Sequence, residues 1–78
     1  DCVIGDHTHI CPGVVLAGNV TIGENCWIGL GAKIIQDCTI GNNVFVAAGA
    51  VVTKDVKSNS FEKGIPAKKY EKKRLAKF

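Results

Sequence analysis

Two histidines and four cysteines are the residues of this 78-residue chain best equipped for chemistry, and their spacing narrows what they can do. His7 and His9 stand two apart. No third ligand is near them and no His/Cys cluster has zinc spacing, so no metal is expected. Cys2, Cys11, Cys26 and Cys38 form no C-x-x-C pair, and a nucleophilic thiol would need a base to activate it. GLGAKI, around Gly29 and Gly31, matches a dinucleotide fingerprint only in passing, since no βαβ unit surrounds it. Seven of the ten Lys and Arg residues lie from Lys63 onward, but that basic end lacks the interleaved aromatics of a nucleic-acid reader. No nucleic-acid partner is expected. What remains is His9, as a residue facing a ligand groove.

A repeat determines where His9 points. Branched aliphatics recur every six residues, at Ile4, Ile10, Leu16, Ile22, Ile28, Ile34, Ile40, Val46 and Val52. Two residues before each sits a small side chain: Cys2, Thr8, Val14, Val20, Cys26, Ala32, Cys38, Val44 and Ala50. VIGDHTHICPGVVLAGNV, TIGENCWIGLGAKIIQDC and TIGNNVFVAAGAVVTKDV align without a gap as three units of eighteen. Six residues per step and three steps per unit describe a triangular coil with three flat faces. Each face is a strand of about four residues whose alternate side chains point the same way. The aliphatic and the small residue face the axis, and the eighteen-residue period stacks them into three interior columns. The recurring glycines, with Asn25 and Asn43, fall at corners, where a bent or positive-φ backbone favours them. His7 falls at a corner, and the open edges at both ends call for caps or partners. The coil is expected over residues 1–56 and a C-terminal segment over 57–78. In that segment KSNSFEKGIPAKK folds back as a loop. KKYEKKRLAKF forms a short helix with Tyr70, Leu75 and Phe78 on its inner side.

Composition agrees with thin stacked layers. Phe, Tyr and Trp total only five, too little bulk for a compact globule, while Val, Ile, Ala and Gly are plentiful. A domain this small draws stability from staples, metals or partner subunits. Cys2, Cys26 and Cys38 share one slot with Val, Ala and Thr, which marks them as small hydrophobes. Two layers separate Cys2 from Cys38, roughly 9–10 Å and beyond disulfide reach. Structural thiols in a reducing cytosol are expected. The stretch contains no signal-peptide core and no apolar run long enough to span a bilayer, so a cytoplasmic location without a membrane partner is expected.

Outside the coil, the residue just before the aliphatic on the second face gives His9, Trp27 and Phe45, one above another. Stacked outward aromatics call for burial elsewhere, in a subunit interface, a ligand groove or both. Two positions after the aliphatic come Pro12, Leu30 and Ala48. Along that column backbone N–H and C=O groups would be within reach of an extended, amide-bearing ligand such as a pantetheine arm. Cys11, beside Gly29 and Ala47, reads as a small residue near that seam.

IGENCWIGLGAKI, AAGAVVTKDV and GIPAKK resemble the last coils and the C-terminal, CoA-side loop of the hexapeptide-repeat acyltransferases, and the resemblance covers the whole chain. It implies an all-β, left-handed parallel β-helix of about three coils assembled as a homotrimer; general crossover rules alone would give the opposite hand. DCVIGDHTHICPGVVLAGNVTIG is most similar to the bacterial acetyltransferases of UDP-linked amino sugars and to the sialic acid O-acetyltransferase group. In these a catalytic histidine precedes an acidic residue in the pattern His-Asp/Glu-Cys-x-Ile-Gly. The resemblance implies that Asp1 orients a histidine standing immediately before it, and that the stretch is a fragment of a longer enzyme with an N-terminal nucleotide-sugar-binding domain. His9 would face the thioester of acetyl-CoA, Gly18, Leu30 and Ala48 would lie along the pantetheine arm, and Pro66 and Lys68 would belong to the loop near the CoA end. Acetyl-CoA is the implied co-substrate and a sugar or nucleotide sugar the implied acceptor. Transfer would be direct, the histidine taking the acceptor's proton as it attacks the thioester. A trimerisation solenoid without chemistry is the other class open to such a coil; a metal-dependent hydrase fails for want of spaced ligands.

Overall fold

Six residues are enough for one short strand and one corner, and each repeat builds that pair. The computed structural model describes residues 1–70. Nine two-residue strands follow in order: β1 (Val3–Ile4), β2 (His9–Ile10), β3 (Val15–Leu16), β4 (Thr21–Ile22), β5 (Trp27–Ile28), β6 (Lys33–Ile34), β7 (Thr39–Ile40), β8 (Phe45–Val46) and β9 (Val51–Val52). The hydrogen-bonded ladders are shorter than the expected four residues, because the corners claim the rest. Each of β1 to β6 pairs in parallel with the strand eighteen residues on, with Ile4 opposite Ile22, Ile10 opposite Ile28 and Leu16 opposite Ile34. The result is three sheets around one axis, a parallel β-solenoid of about three turns, as the expected left-handed β-helix requires. Bonds such as Gly5 N–H to the Ile22 carbonyl, 2.8 Å, continue the ladders past the strand ends.

The interior consists of the predicted columns. Ile22, Ile28, Ile34, Ile40, Val46 and Val52 are fully enclosed, with Val20, Ala32, Val44 and Ala50 between them. The first layer is more open: Ile4 is 44% exposed where Ile22 above it is 1%. All four cysteines are free thiols, with Cys26 and Cys38 buried in the small slot and Cys2 exposed at its start. Burial pushes the Cys38 thiol up, and the charges of Asp55 and Asp37 add to the effect, so it is held in its unreactive form.

The corners are of two kinds, and here the structure corrects the single reason given for the glycines. Gly13, Gly31 and Gly49 have φ near +70°, as do Asn25, Asn43 and His7 near +60°, all in the left-handed region. Gly5, Gly23 and Gly41 do not. They are glycine because a Cβ on Gly5 would lie 2.7 Å from the carbonyl carbon of Gly23, and one on Gly23 would lie 2.7 Å from the carbonyl oxygen of Gly41. The coils are simply too close there for a side chain. Side-chain rungs brace the same corner. Asn42 Oδ1 accepts from the Glu24 N–H, and Ser58 Oγ accepts from the Asn42 N–H, each at 2.8 Å.

The coil runs further than the six-residue repeat. Val56 bridges in parallel to Ile40, and β10 (Phe61–Lys63) pairs in parallel with β8, Phe61 opposite Phe45 and Glu62 opposite Val46. The last step is sixteen residues rather than eighteen. Residues 56–63, expected to be a loop from Lys57 on, therefore add a fourth layer on two faces. The segment after Gly64 turns over the third face, where the Ala67 N–H donates to the Val51 carbonyl at 2.8 Å. The expected helix does not begin at Lys68: β11 (Lys68–Tyr70) lies antiparallel on β10, completing a five-strand second face. The open edge of β10 offers backbone partners and the Phe61 ring offers a surface for Tyr70, so the chain extends before it can coil. The remainder of the expected helix, with Leu75 and Phe78, lies outside the described residues.

Candidate functional site

Period-two alternation puts His9, Trp27 and Phe45 on the outer side of the second face, one per coil, as the columns predicted. His9 lies flat on Trp27, with ring centroids 4.4 Å apart and planes within 10°. Trp27 in turn lies parallel to Phe45 at 6.4 Å. The fourth layer extends the ribbon, since Phe61 meets Phe45 edge-on at 5.0 Å and Tyr70 tilts against Phe61 at 6.2 Å. Lys63 places its ammonium 5.0 Å from the centre of the Tyr70 ring and stands directly opposite Lys68 across the hairpin. From β2 to β11 there are four strand spacings, roughly 19 Å. The histidine stands at one end of this face and a pair of lysines at the other. Phe61, Lys63 and Tyr70 were not anticipated. Their signal is a sixteen-residue echo, Asn43 to Asn59 and Phe45 to Phe61, which an eighteen-residue frame passes over.

The column of Pro12, Leu30 and Ala48 borders this face as an exposed corner. Its carbonyls are partly engaged: those of Pro12 and Leu30 accept from the N–H groups of Gly31 and Gly49. The Leu30 and Ala48 N–H groups take no part in the bonds between coils, and neither does that of Gly18. This is a narrower ladder than expected, with the Leu30 and Ala48 N–H groups and the Ala48 carbonyl outside the bonds between coils among the described residues.

Gly18 lies on a different corner, across the third face from Leu30 and Ala48. It has neither reason that explains the other glycines. Its φ is outside the left-handed region, and a Cβ built there meets nothing within 4 Å. The same place in the following coils holds Gln36 and Lys54. Asp1 is exposed at the start of the first face. Pro66 follows a cis peptide bond in the exposed turn after Gly64, and Lys68 is exposed on β11. One chain therefore gathers His9, Leu30, Ala48 and Lys68 around its second face, and leaves Gly18 at the far side of the third. Among the described residues no group of three His, Cys, Asp or Glu side chains could hold a metal ion, and no helix is long and apolar enough to cross a membrane.

The closed triangular coil with an outward aromatic ribbon defines the class, a hexapeptide-repeat β-solenoid. The chain belongs to the bacterial transferase hexapeptide (six repeats) family, which it matches over residues 1–29 and again over 19–54. Several solved structures are similar to it. PerB from Caulobacter crescentus, solved with CoA and GDP-perosamine, is 39% identical with a TM-score of 0.90, over 91% of this chain and 34% of that one. The acetyltransferase domain of PglB from Neisseria gonorrhoeae, solved with acetyl coenzyme A, is 41% identical with a TM-score of 0.88, over 90% of this chain and 34% of that one. A hexapeptide-repeat acetyltransferase from Vibrio cholerae, also solved with acetyl coenzyme A, is 28% identical with a TM-score of 0.87, over 90% and 48%. The chain spans about a third of the length of the first two.

Proposed function

We propose that this chain supplies the acetyl-CoA site of an acetyltransferase that acts on an amino sugar carried on a nucleotide. Gly18 carries the proposal. Neither backbone conformation nor packing asks for a glycine there, and the coil accepts Gln and Lys at the equivalent places, so the missing side chain serves the close approach of something outside the chain. The free N–H groups of Leu30 and Ala48 and the outward His9 suit the amides and thioester of the same ligand. Lys68 at the opposite end of the second face, and Pro66 in the turn over the third, suit its nucleotide end. The solved relatives that bind CoA or acetyl coenzyme A, one with a nucleotide-linked amino sugar, support this choice over sialic-acid-type acceptors.

Gly18 and His9 lie on different sides of one coil, and a neighbouring copy in a homotrimer brings the two sets together. In the reaction the acceptor amine attacks the thioester carbonyl. The C–S bond breaks, and CoA leaves as the thiol. The proton from the amine passes to a histidine held by Asp1 and from it to the departing sulfur, while His9 donates a hydrogen bond to the carbonyl oxygen as charge develops on it.

Calorimetric titration of acetyl-CoA, with and without Gly18→Ala, tests the proposal. Saturation at one ligand per subunit is expected. The alanine should weaken binding about tenfold while the fold holds or gains about 0.4–1 kcal/mol, because alanine restricts the unfolded chain. Equal affinity for wild type and variant would remove Gly18 from the donor path. No binding by a folded assembly would favour a trimerisation solenoid instead.

A further inference from the structure

His9 has no hydrogen-bonding partner on either ring nitrogen among the described residues, and it projects from an exposed position on β2. An imidazole in that situation ordinarily samples several rotamers. What holds it is the indole beneath. The two rings lie 4.4 Å apart and within 10° of parallel, and their parent residues are direct partners across β2 and β5. On the other side of the indole Phe45 lies parallel to it within 5° at 6.4 Å and limits how far it can turn. Both faces of the indole are thus turned toward side chains of its own sheet, His9 closely and Phe45 at an offset, and the 44% exposure is what that offset and the edge leave open. An aromatic recruited to stack on a base or a sugar would present a free face. This one gives its closest stacking face to the imidazole.

We propose that Trp27 is a positioning residue for His9, resting on the reading of His9 as the group that meets the acetyl thioester. Stacking fixes the plane of the imidazole while leaving its edge, where both nitrogens lie, pointing along the outer surface. The hydrogen bond from His9 to the carbonyl then forms without the cost of ordering the ring first. Trp27 touches neither the thioester nor the acceptor and acts through His9 alone. Phe and Tyr would hold the imidazole by the same stacking, whereas Leu would fill the volume without a flat ring for it to lie on.

The test compares CoA and acetyl-CoA as probes, titrated calorimetrically into the full chain carrying Trp27→Leu, Trp27→Phe, His9→Ala or His9→Ala with Trp27→Leu. The preference for acetyl-CoA over CoA isolates the contact to the acetyl group. Wild type is expected to show that preference and His9→Ala to lose it, a change of up to about tenfold for one hydrogen bond. Trp27→Leu should lose it to the same degree while binding CoA as wild type does, Trp27→Phe should keep it, and the double variant should match His9→Ala. Trp27→Leu with the full preference, or a double variant that falls clearly below His9→Ala, would overturn the positioning role. A preference unchanged in His9→Ala would instead overturn the placement of His9 at the thioester. Should Trp27→Leu not fold, the wild-type His9 ring protons decide. The indole ring current is expected to displace them upfield, and shifts at the solvent-exposed position would overturn the stack.

Discussion

At the residue scale, the inner column ends on an anomaly. Register places Glu62 above Val46, in a slot that every earlier coil fills with an aliphatic, and Ser60 in the small slot above Val44. Both are buried, at 9% and 5% exposure, and the Ser60 hydroxyl has no hydrogen-bond partner among the described residues. Burial raises the Glu62 carboxyl above its ordinary range, and the ammonium of Lys69, its partner across the hairpin, opposes this only in part. A raised carboxyl means the folded chain binds that proton more readily than the unfolded one. The associated stability is therefore complete below the unfolded pKa and is lost as pH rises through the folded one. Glu62→Gln should accordingly be more stable than wild type at neutral pH, and the difference should shrink as pH falls into the ordinary carboxylate range. Urea midpoints for both proteins at pH 7.5 and pH 4 measure it. A difference that is the same at both pH values would mean Glu62 is not strained by burial. His9 and Trp27 show the other side of residue-scale order, in which two exposed rings hold each other.

At the element scale, strands of two residues cannot hold a sheet on their own, and the corners supply the rest. The spacing between coils at the first corner is set by Gly5, Gly23 and Gly41, whose hydrogens face backbone atoms of the next coil. Gly23→Ala would press a methyl group into the Gly41 carbonyl, which is backbone on a hydrogen-bonded rung and has nowhere to move. A loss of about 1–3 kcal/mol is expected from overpacking of this kind, read from urea unfolding. Gly18→Ala is the matched control, with the same chemical change at a corner where nothing stands within 4 Å. Equal stability for the two would show that the coils can spread apart. The β10–β11 hairpin does different work. It finishes the second face with an antiparallel strand, and Lys68 and Lys69 on that strand are charges of the kind that discourage further pairing at a sheet edge.

At the scale of the whole molecule, one coil stack of this size buries a limited core. Its enclosed core lies in layers two and three, while Val3, Val15, Trp27, Leu30 and Ile35 remain exposed on the outer surface. Apolar surface distributed over all three sides suits a molecule surrounded by copies of itself better than one that stands alone. If the proposed homotrimer supplies that cover, unfolding is coupled to dissociation. The thermal midpoint should then rise with protein concentration, by several degrees over a hundredfold range. Sedimentation at the same concentrations checks the state directly. A midpoint independent of concentration, with sedimentation as a single chain, would show that one coil stack is sufficient.

The sequence by itself determined the architecture and the contents of its interior. A period of six with an inward aliphatic and a small residue two before it has only one way to hide both, and eighteen residues bring like onto like. It also determined the outward ribbon of His9, Trp27 and Phe45, since alternation along a strand leaves no other side for them. Tertiary structure decided three things that periodicity could not carry. The fourth layer was hidden by a two-residue shortening after Val52, which moves Phe61 and Glu62 out of frame while hydrogen bonding to β8 keeps them in register. Lys68–Tyr70 became a strand because a sheet edge and an aromatic face were waiting beside it, a matter of neighbours and not of propensity. The two glycine columns and Gly18 look alike in a string of letters. Only atoms from the next coil separate those that need a left-handed backbone from those that need room, and both from Gly18, which needs neither for the fold.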